Sequence, residues 1–177
     1  TVYWQDPSLE IIVFQRLVFK DKEHFFVEVF NKEGVLVESY DLLEGKKHGD
    51  AVVYWPTHGG LVAQEGLYVS GKRHGEWKKF SSQGSLLGKQ EYLYGIKHGS
   101  YELWKKPSGK KESFLKVKGE YLNGQPHSSW LYFSSKGHLL TLISYKFGVK
   151  DGNYAEYFKN SDQIKLQGIF TNGSKHG

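Results

Sequence analysis

The sequence predicts an all-β protein: a single-layer, twisted or curved antiparallel meander of stacked β-hairpin repeats, with little or no helix. Three observations carry that expectation. A turn motif of eight residues recurs six times, rings stand at two fixed slots in the strand that follows it, and a second polar reversal closes each copy.

The composition agrees. Among 177 residues there are 11 Phe, 12 Tyr, 5 Trp and 21 Gly but only 4 Pro, and neither Cys nor Met. Aromatic side chains suit pleated surfaces and glycine suits turns, so many short strands are expected and helix should be scarce. The absence of cysteine excludes disulfides, thiolate zinc sites and a cysteine nucleophile. A formal charge of +5 is a mild attraction to anionic surfaces, far short of a nucleic-acid arm, so nucleic acid is not an expected partner. No apolar run reaches the length of a membrane-spanning helix. The chain begins at Thr1 rather than Met, which leaves room for a trimmed leader, and its localisation stays unread.

The copies of the turn are Leu42-Leu-Glu-Gly45-Lys-Lys-His48-Gly49, Tyr68-Val-Ser-Gly71-Lys-Arg-His74-Gly75 and Tyr92-Leu-Tyr-Gly95-Ile-Lys-His98-Gly99. They continue as Tyr121-Leu-Asn-Gly124-Gln-Pro-His127-Ser128, Tyr145-Lys-Phe-Gly148-Val-Lys-Asp151-Gly152 and Phe170-Thr-Asn-Gly173-Ser-Lys-His176-Gly177. First glycines at 45, 71, 95, 124, 148 and 173 give a period of about 25 residues, the range of a small repeated supersecondary unit. Each copy reads as a hairpin: a strand enters the first glycine, polar residues follow, and the second glycine opens the return strand.

Two residues past the second glycine stand Ala51, Trp77, Tyr101, Trp130 and Tyr154. Three further on stand Tyr54, Phe80, Trp104, Phe133 and Tyr157. Slots an odd number apart face opposite sides of a regular strand, so both faces should carry rings. The second reversals read as His58-Gly-Gly60, Ser81-Ser-Gln-Gly84, Pro107-Ser-Gly109, Ser134-Ser-Lys-Gly137 and Lys159-Asn-Ser-Asp162. Connections this short make consecutive strands antiparallel neighbours. Twelve or more strands are expected, each copy touching mainly the next.

Residues 1–41 read as a strand-rich cap holding a worn copy, and residues 42–177 as five copies plus a partial sixth. In the cap, Phe19-Lys-Asp-Lys-Glu-His24 echoes the first turn without its glycines, and Asn31-Lys-Glu-Gly34 echoes the second. Before them Leu9-Glu-Ile-Ile-Val-Phe14 has the pattern of a strand covered on both sides. At the far end the return strand of the sixth copy is cut off at His176 and Gly177, which predicts either further residues or an unprotected edge.

These motifs resemble the MORN repeat, and more closely its bacterial variant, the YwqK-type antitoxin family of β-hairpin repeats. The matching signature is Gly-x-Tyr-x-x-Gly-Lys-x-His-Gly-x-Trp-x-x-Tyr/Phe, nearly intact as Gly66-Leu-Tyr68-Val-Ser-Gly71-Lys-Arg-His74-Gly75-Glu-Trp77-Lys-Lys-Phe80. The resemblance covers residues 42–177 and implies a single-layer sheet that binds proteins or sits against membrane lipid. Asp151 in place of His, Ser128 in place of the second Gly and Pro126 in the fourth turn depart from it.

Three sets of residues are candidates for function, each with a structural alternative. The rings Trp77, Tyr101, Trp104, Trp130 and Tyr154 offer a protein-binding surface of the kind that makes hot spots, or else supply the only core a single layer has. The turn cations Lys46, Lys47, Lys72, Arg73, Lys97, Lys150 and Lys175 form a basic rim for acidic lipid or an acidic protein, or else keep the turns solvated. The turn residues Gly45, His48, Gly49, Gly71, His74, Gly75, Gly95, His98, Gly99, Gly124, His127, Gly148, Gly152, Gly173, His176 and Gly177 read as a structural motif. In it the imidazole braces the turn by hydrogen bonding to backbone, proton sensing or ligand contact being the alternatives.

Five of the 8 histidines share that slot, yet equivalent slots lie two strands, about 10 Å, apart, whereas a metal holds its ligands at about 2 Å. No metal and no cofactor is expected. No nucleophile elbow, phosphate loop or zinc-protease motif occurs, and the repeated His lacks a serine or carboxylate at fixed spacing, so no catalytic residue is assigned. The expected function is a non-catalytic scaffold binding an unknown protein. A peripheral phospholipid-binding module is the alternative, and self-association through open sheet edges a further one.

Overall fold

The computed structural model describes residues 3–4, 14–19, 23–57, 60–106 and 113–176. The strand expected at 9–14, the worn turn at 19–24, the reversals at 58–60 and 107–109, and Gly177 fall wholly or partly outside those residues. Among the described residues there are fifteen strands and no helix. The chain divides into two compact units, Thr1–Gly84 and Ser85–Gly177. One strand, Leu36–Leu43, runs across position 41/42.

The first unit holds β1 (Tyr3–Trp4), β2 (Phe14–Phe19), β3 (His24–Phe30), β4 (Leu36–Leu43), β5 (Lys46–Tyr54), β6 (Val62–Val69) and β7 (Lys72–Phe80). Each strand pairs antiparallel with the next. The second unit holds β8 (Leu86–Leu93), β9 (Ile96–Lys105), β10 (Phe114–Leu122), β11 (Gln125–Phe133), β12 (Leu139–Lys146), β13 (Val149–Tyr157), β14 (Ile164–Thr171) and β15 (Ser174–His176). It is paired in the same successive way. Both units are therefore open antiparallel meanders.

The six first turns share one backbone form. The residue before the first glycine and that glycine both have positive φ, from Glu44 and Gly45 through Phe147 and Gly148 to Asn172 and Gly173. This is the geometry whose twist matches the flanking strands. The second glycine does something else. In the β4–β5 pair Tyr40 lies opposite Ala51 while its neighbour Asp41 lies opposite His48, so Gly49 and Asp50 are extra on β5.

The same two-residue step recurs in β6–β7, β8–β9, β10–β11 and β12–β13. One extra residue would turn the side chains over, whereas two restore the alternation, so the turn cation and the ring four residues later share a face. Ser128 takes the glycine's left-handed backbone, φ 59, and the step survives there. In the worn copy no glycine is present, and β2–β3 keeps one register throughout.

The second turns are tied by their first side chain. Asn31 Oδ1 accepts from the amides of Glu33 and Val35, and Ser134 Oγ from those of Lys136 and His138. Side-chain oxygens offered to local amides are what Asn and Ser bring to a reversal. Just past these turns the register slips by one residue at the start of β4, β6, β10, β12 and β14.

Candidate binding face

Successive copies are stitched turn to turn. The amide of Gly71 donates to the Lys47 carbonyl at 2.7 Å, and those of Gly124, Gly148 and Gly173 donate to the carbonyls of Lys97, Pro126 and Lys150 at 2.8 Å. The neighbouring amide is held by the histidine slot of the preceding copy: His48 Nδ1 accepts from Ser70 N and His127 Nδ1 from Phe147 N, both at 3.5 Å. Asp151, in the same slot, accepts from Asn172 N at 3.1 Å. His48 and His127 thus brace the next copy's turn. A carboxylate serves as well, because only an acceptor is needed.

With the turns held in column, one face of each unit acquires a regular pattern. Directly across from the leading aromatic of each copy lies the residue before the histidine: Tyr68 opposite Arg73, Tyr92 opposite Lys97, Tyr145 opposite Lys150 and Phe170 opposite Lys175. Leu42 faces Lys47 in the first copy, and in the fourth Tyr121 faces Pro126. The cations fold onto rings. Lys47 Nζ is 4.0 Å from the centroid of Tyr40 and 5.5 Å from that of Tyr68, and the Arg73 guanidinium is 4.1 Å from Trp77. Lys97 lies 4.9 Å from Tyr121, Lys150 5.1 Å from Phe170 and Lys175 4.5 Å from Tyr154. Each contact is within the range of cation–π attraction.

Beneath the cations the rings pack on one another. Trp77 meets Tyr68 edge-on at 5.0 Å. In the second unit Trp130 touches Tyr101, Tyr121 and Tyr145 at 5.4, 5.2 and 6.1 Å, and Tyr154 touches Phe170 at 5.4 Å. The two indoles are buried, 4% and 7% exposed, so Trp77 and Trp130 serve as core. Tyr101 and Tyr154 are half-buried and remain part of the surface. Trp104 is on the other side of the sheet, where its Nε1 donates to Glu102, so both faces do carry rings.

The two indoles lie against glycine. A Cβ on Gly66 would stand 2.4 Å from the Trp77 ring and one on Gly119 2.4 Å from Trp130. Each indole Nε1 donates to the carbonyl just after that glycine, Leu67 at 3.0 Å and Glu120 at 3.2 Å. Where the β8–β9 copy has Gln90 in place of the glycine, the Gln90 amide donates to the equivalent carbonyl, Glu91, at 2.8 Å. Gly66, Gly119 and Gln90 are structural site residues that sequence reasoning did not single out. The recurring Gly-x-Tyr was the available signal.

The seven basic residues expected to make one rim are divided by strand alternation. Lys47 and Arg73 lie on the ring face of the first unit, with Lys46 and Lys72 turned to its other face, and Lys97, Lys150 and Lys175 lie on the ring face of the second. Among the described residues, Glu38 is bound to Lys47 on the ring face of the first unit, and on that of the second Glu156 accepts from the Tyr154 hydroxyl and lies 3.7 Å from Lys165. On the opposite face carboxylates meet lysines in pairs, Glu65 with Lys78 at 3.3 Å and Glu102 with Lys118 at 3.8 Å.

Burial pushes the phenols of Tyr101 and Tyr132 above the usual tyrosine value, with neighbouring Tyr121 and Tyr145 adding to it. Burial and then Glu38 do the same to Tyr40. The Tyr154 hydroxyl is raised first by donating to Glu156, and the same bond lowers the Glu156 carboxyl. Among the described residues no group of three or more His, Cys, Asp or Glu is placed to hold a metal ion. No protein-family model matches this chain, and a search of curated proteins likewise finds no match.

Proposed function

We propose that this chain is a non-catalytic scaffold that binds a partner protein through its ring-bearing face, and that the partner's contacting surface is acidic. The observation that carries the reading is the stacking of cations on rings in each unit, Lys47 and Arg73 in the first and Lys97, Lys150 and Lys175 in the second. Cations held on aromatic rings give up little rotamer freedom on binding, and the rings supply rigid contact area. Reversal of Arg73, Lys97 and Lys150 to Glu abolishes capture of the partner, whereas reversal of Lys46 and Lys72 leaves it intact. Equal loss from both variants sinks the reading.

A second reading, docking on an anionic phospholipid surface, is favoured by the turn tips. Tyr94 and Ile96 in one turn and Phe147 and Val149 in another are about half exposed, although bulky residues are disfavoured at the positive φ of Tyr94 and Phe147. Aromatic and aliphatic tips beside lysines suit a headgroup boundary. Co-sedimentation with vesicles containing anionic lipid at low salt, lost on Phe147→Asn, supports it; no co-sedimentation refutes it. Self-association through sheet edges remains a weaker proposal, refuted by a concentration-independent monomer in light scattering.

A further inference from the structure

We infer that the segment received by the ring face is a polyproline II strand carrying a carboxylate at every third residue. The inference rests on the acidic-partner reading above and specifies the shape of the ligand. Cations recur once per copy, and copies are two strands apart, so the period of the row is about 9.6 Å. The turn-to-turn bonds from Gly124 to Lys97, Gly148 to Pro126 and Gly173 to Lys150 hold the copies of the second unit in step along that row.

The alternatives differ in pitch. Polyproline II has three residues per turn and a rise of about 3.1 Å, so every third side chain returns to the same side after about 9.3 Å. Over three copies the mismatch accumulates to about 1 Å, which a lysine side chain absorbs. An α-helix presents one side at every seventh residue, about 10.5 Å, and falls out of step by almost 3 Å over the same length. A β-strand repeats on one side at about 6.8 Å, so it misses the second copy by almost 3 Å and meets the later ones unevenly, after every third and every fourth repeat, never once per copy.

The rings decide between the extended forms in the same direction. Between successive cations lie Tyr121, Tyr145 and Phe170, each in the adjacent strand. Rings spaced along a surface are what proline-rich strands dock against. A Glu-Pro-Pro repeat therefore sets glutamates on Lys97, Lys150 and Lys175 and its prolines on the rings. The fourth copy is the exception: Pro126 holds the position of the cation, and the glutamate opposite it meets no charge.

The test is a titration of fluorescein-labelled peptides against the intact protein at low salt. The first peptide is (Glu-Pro-Pro)4, the second an isomer with its four glutamates contiguous, and the third a helix former with Glu at every seventh residue. The regular peptide is expected to bind at least ten-fold tighter than its isomer and tighter than the helix former. Pro126→Lys is expected to tighten the regular peptide about two- to five-fold and Lys150→Gln to loosen it by a similar factor, the range of an exposed ion pair. Circular dichroism confirms that both variants fold.

Equal affinity for the two isomers, or tightest binding by the helix former, overturns the polyproline inference and leaves the acidic-partner reading standing. Failure of every acidic peptide, with partner capture still lost on reversal of Arg73, Lys97 and Lys150, also overturns the inference alone. Failure of every peptide with capture unaffected by that reversal overturns both.

Discussion

Two neighbouring copies in the first unit solve one packing problem in opposite ways. In the β6–β7 copy the ring comes from the return strand: Trp77 lies over Gly66, and Arg73 sits on the indole and reaches Gln64 at 3.2 Å. In the β4–β5 copy the ring comes from the entering strand: Tyr40 faces Ala51, and Lys47 sits on the phenol and pairs with Glu38. Ala51 and Tyr40 are both buried. What the copies have in common is a ring under a cation, with something small across from the ring. The slot belongs to a cross-strand pair and not to a residue.

The largest test of this comparison moves the ring. Trp77→Ala is expected to cost about 3–5 kcal/mol in urea unfolding, the range for emptying an aromatic site. Adding Gly66→Tyr, which recreates the Tyr40 and Ala51 arrangement, should recover a good part of that loss. A double-mutant cycle reads the coupling; strict additivity would show that the two positions are not one slot. Gly66→Ala alone comes next, at about 1–3 kcal/mol, since the added methyl collides with the indole face and not with a flexible tip. The same change at Gly45, whose Cβ would meet nothing, tests backbone strain by itself, because its φ is 71.

A smaller effect of opposite sign belongs to the fourth copy. Ser128 pays for a left-handed backbone that glycine takes freely, so Ser128→Gly is expected to stabilise the second unit by up to about 1 kcal/mol. A destabilised variant would mean that the hydroxyl has a role of its own. The smallest effect separates the two copies by pH. The Tyr40 phenol is raised by burial and by Glu38, so the stability it contributes is whole below pH about 10 and is lost as pH climbs through its higher folded value. Trp77 has no such titration. Tyr40→Phe should therefore flatten the alkaline fall in stability, and an unchanged fall would contradict the assignment.

Much of the fold was legible because its signals are local. Glycine pairs, ring spacing and short connections each constrain neighbouring residues, and together they specify the meander and its six turns. The register was not legible. Nothing in the spacing of Gly71 and Gly75 distinguishes a turn glycine from one that admits two extra residues, since the difference is visible only against the partner strand. The same limit hid the division of the cations. Lys46 and Lys47 are adjacent in the chain and look like one basic cluster, but strand alternation sends them to opposite faces. The histidine brace was anticipated as a hydrogen bond to backbone; that it reaches the following copy depends on a contact some twenty residues away. Ala51 looks like a lapse in the ring pattern until Tyr40 is seen across from it.

The central claim is that within each unit turn cations and rings form one surface. Proton NMR of the side chains tests it most directly, because a methylene held over an aromatic ring is shifted upfield. The ε-methylenes of Lys47, Lys97, Lys150 and Lys175 should be displaced from the positions of Lys46 and Lys72, which strand alternation turns to the other face. Identical, random-coil shifts for all six lysines would contradict the account.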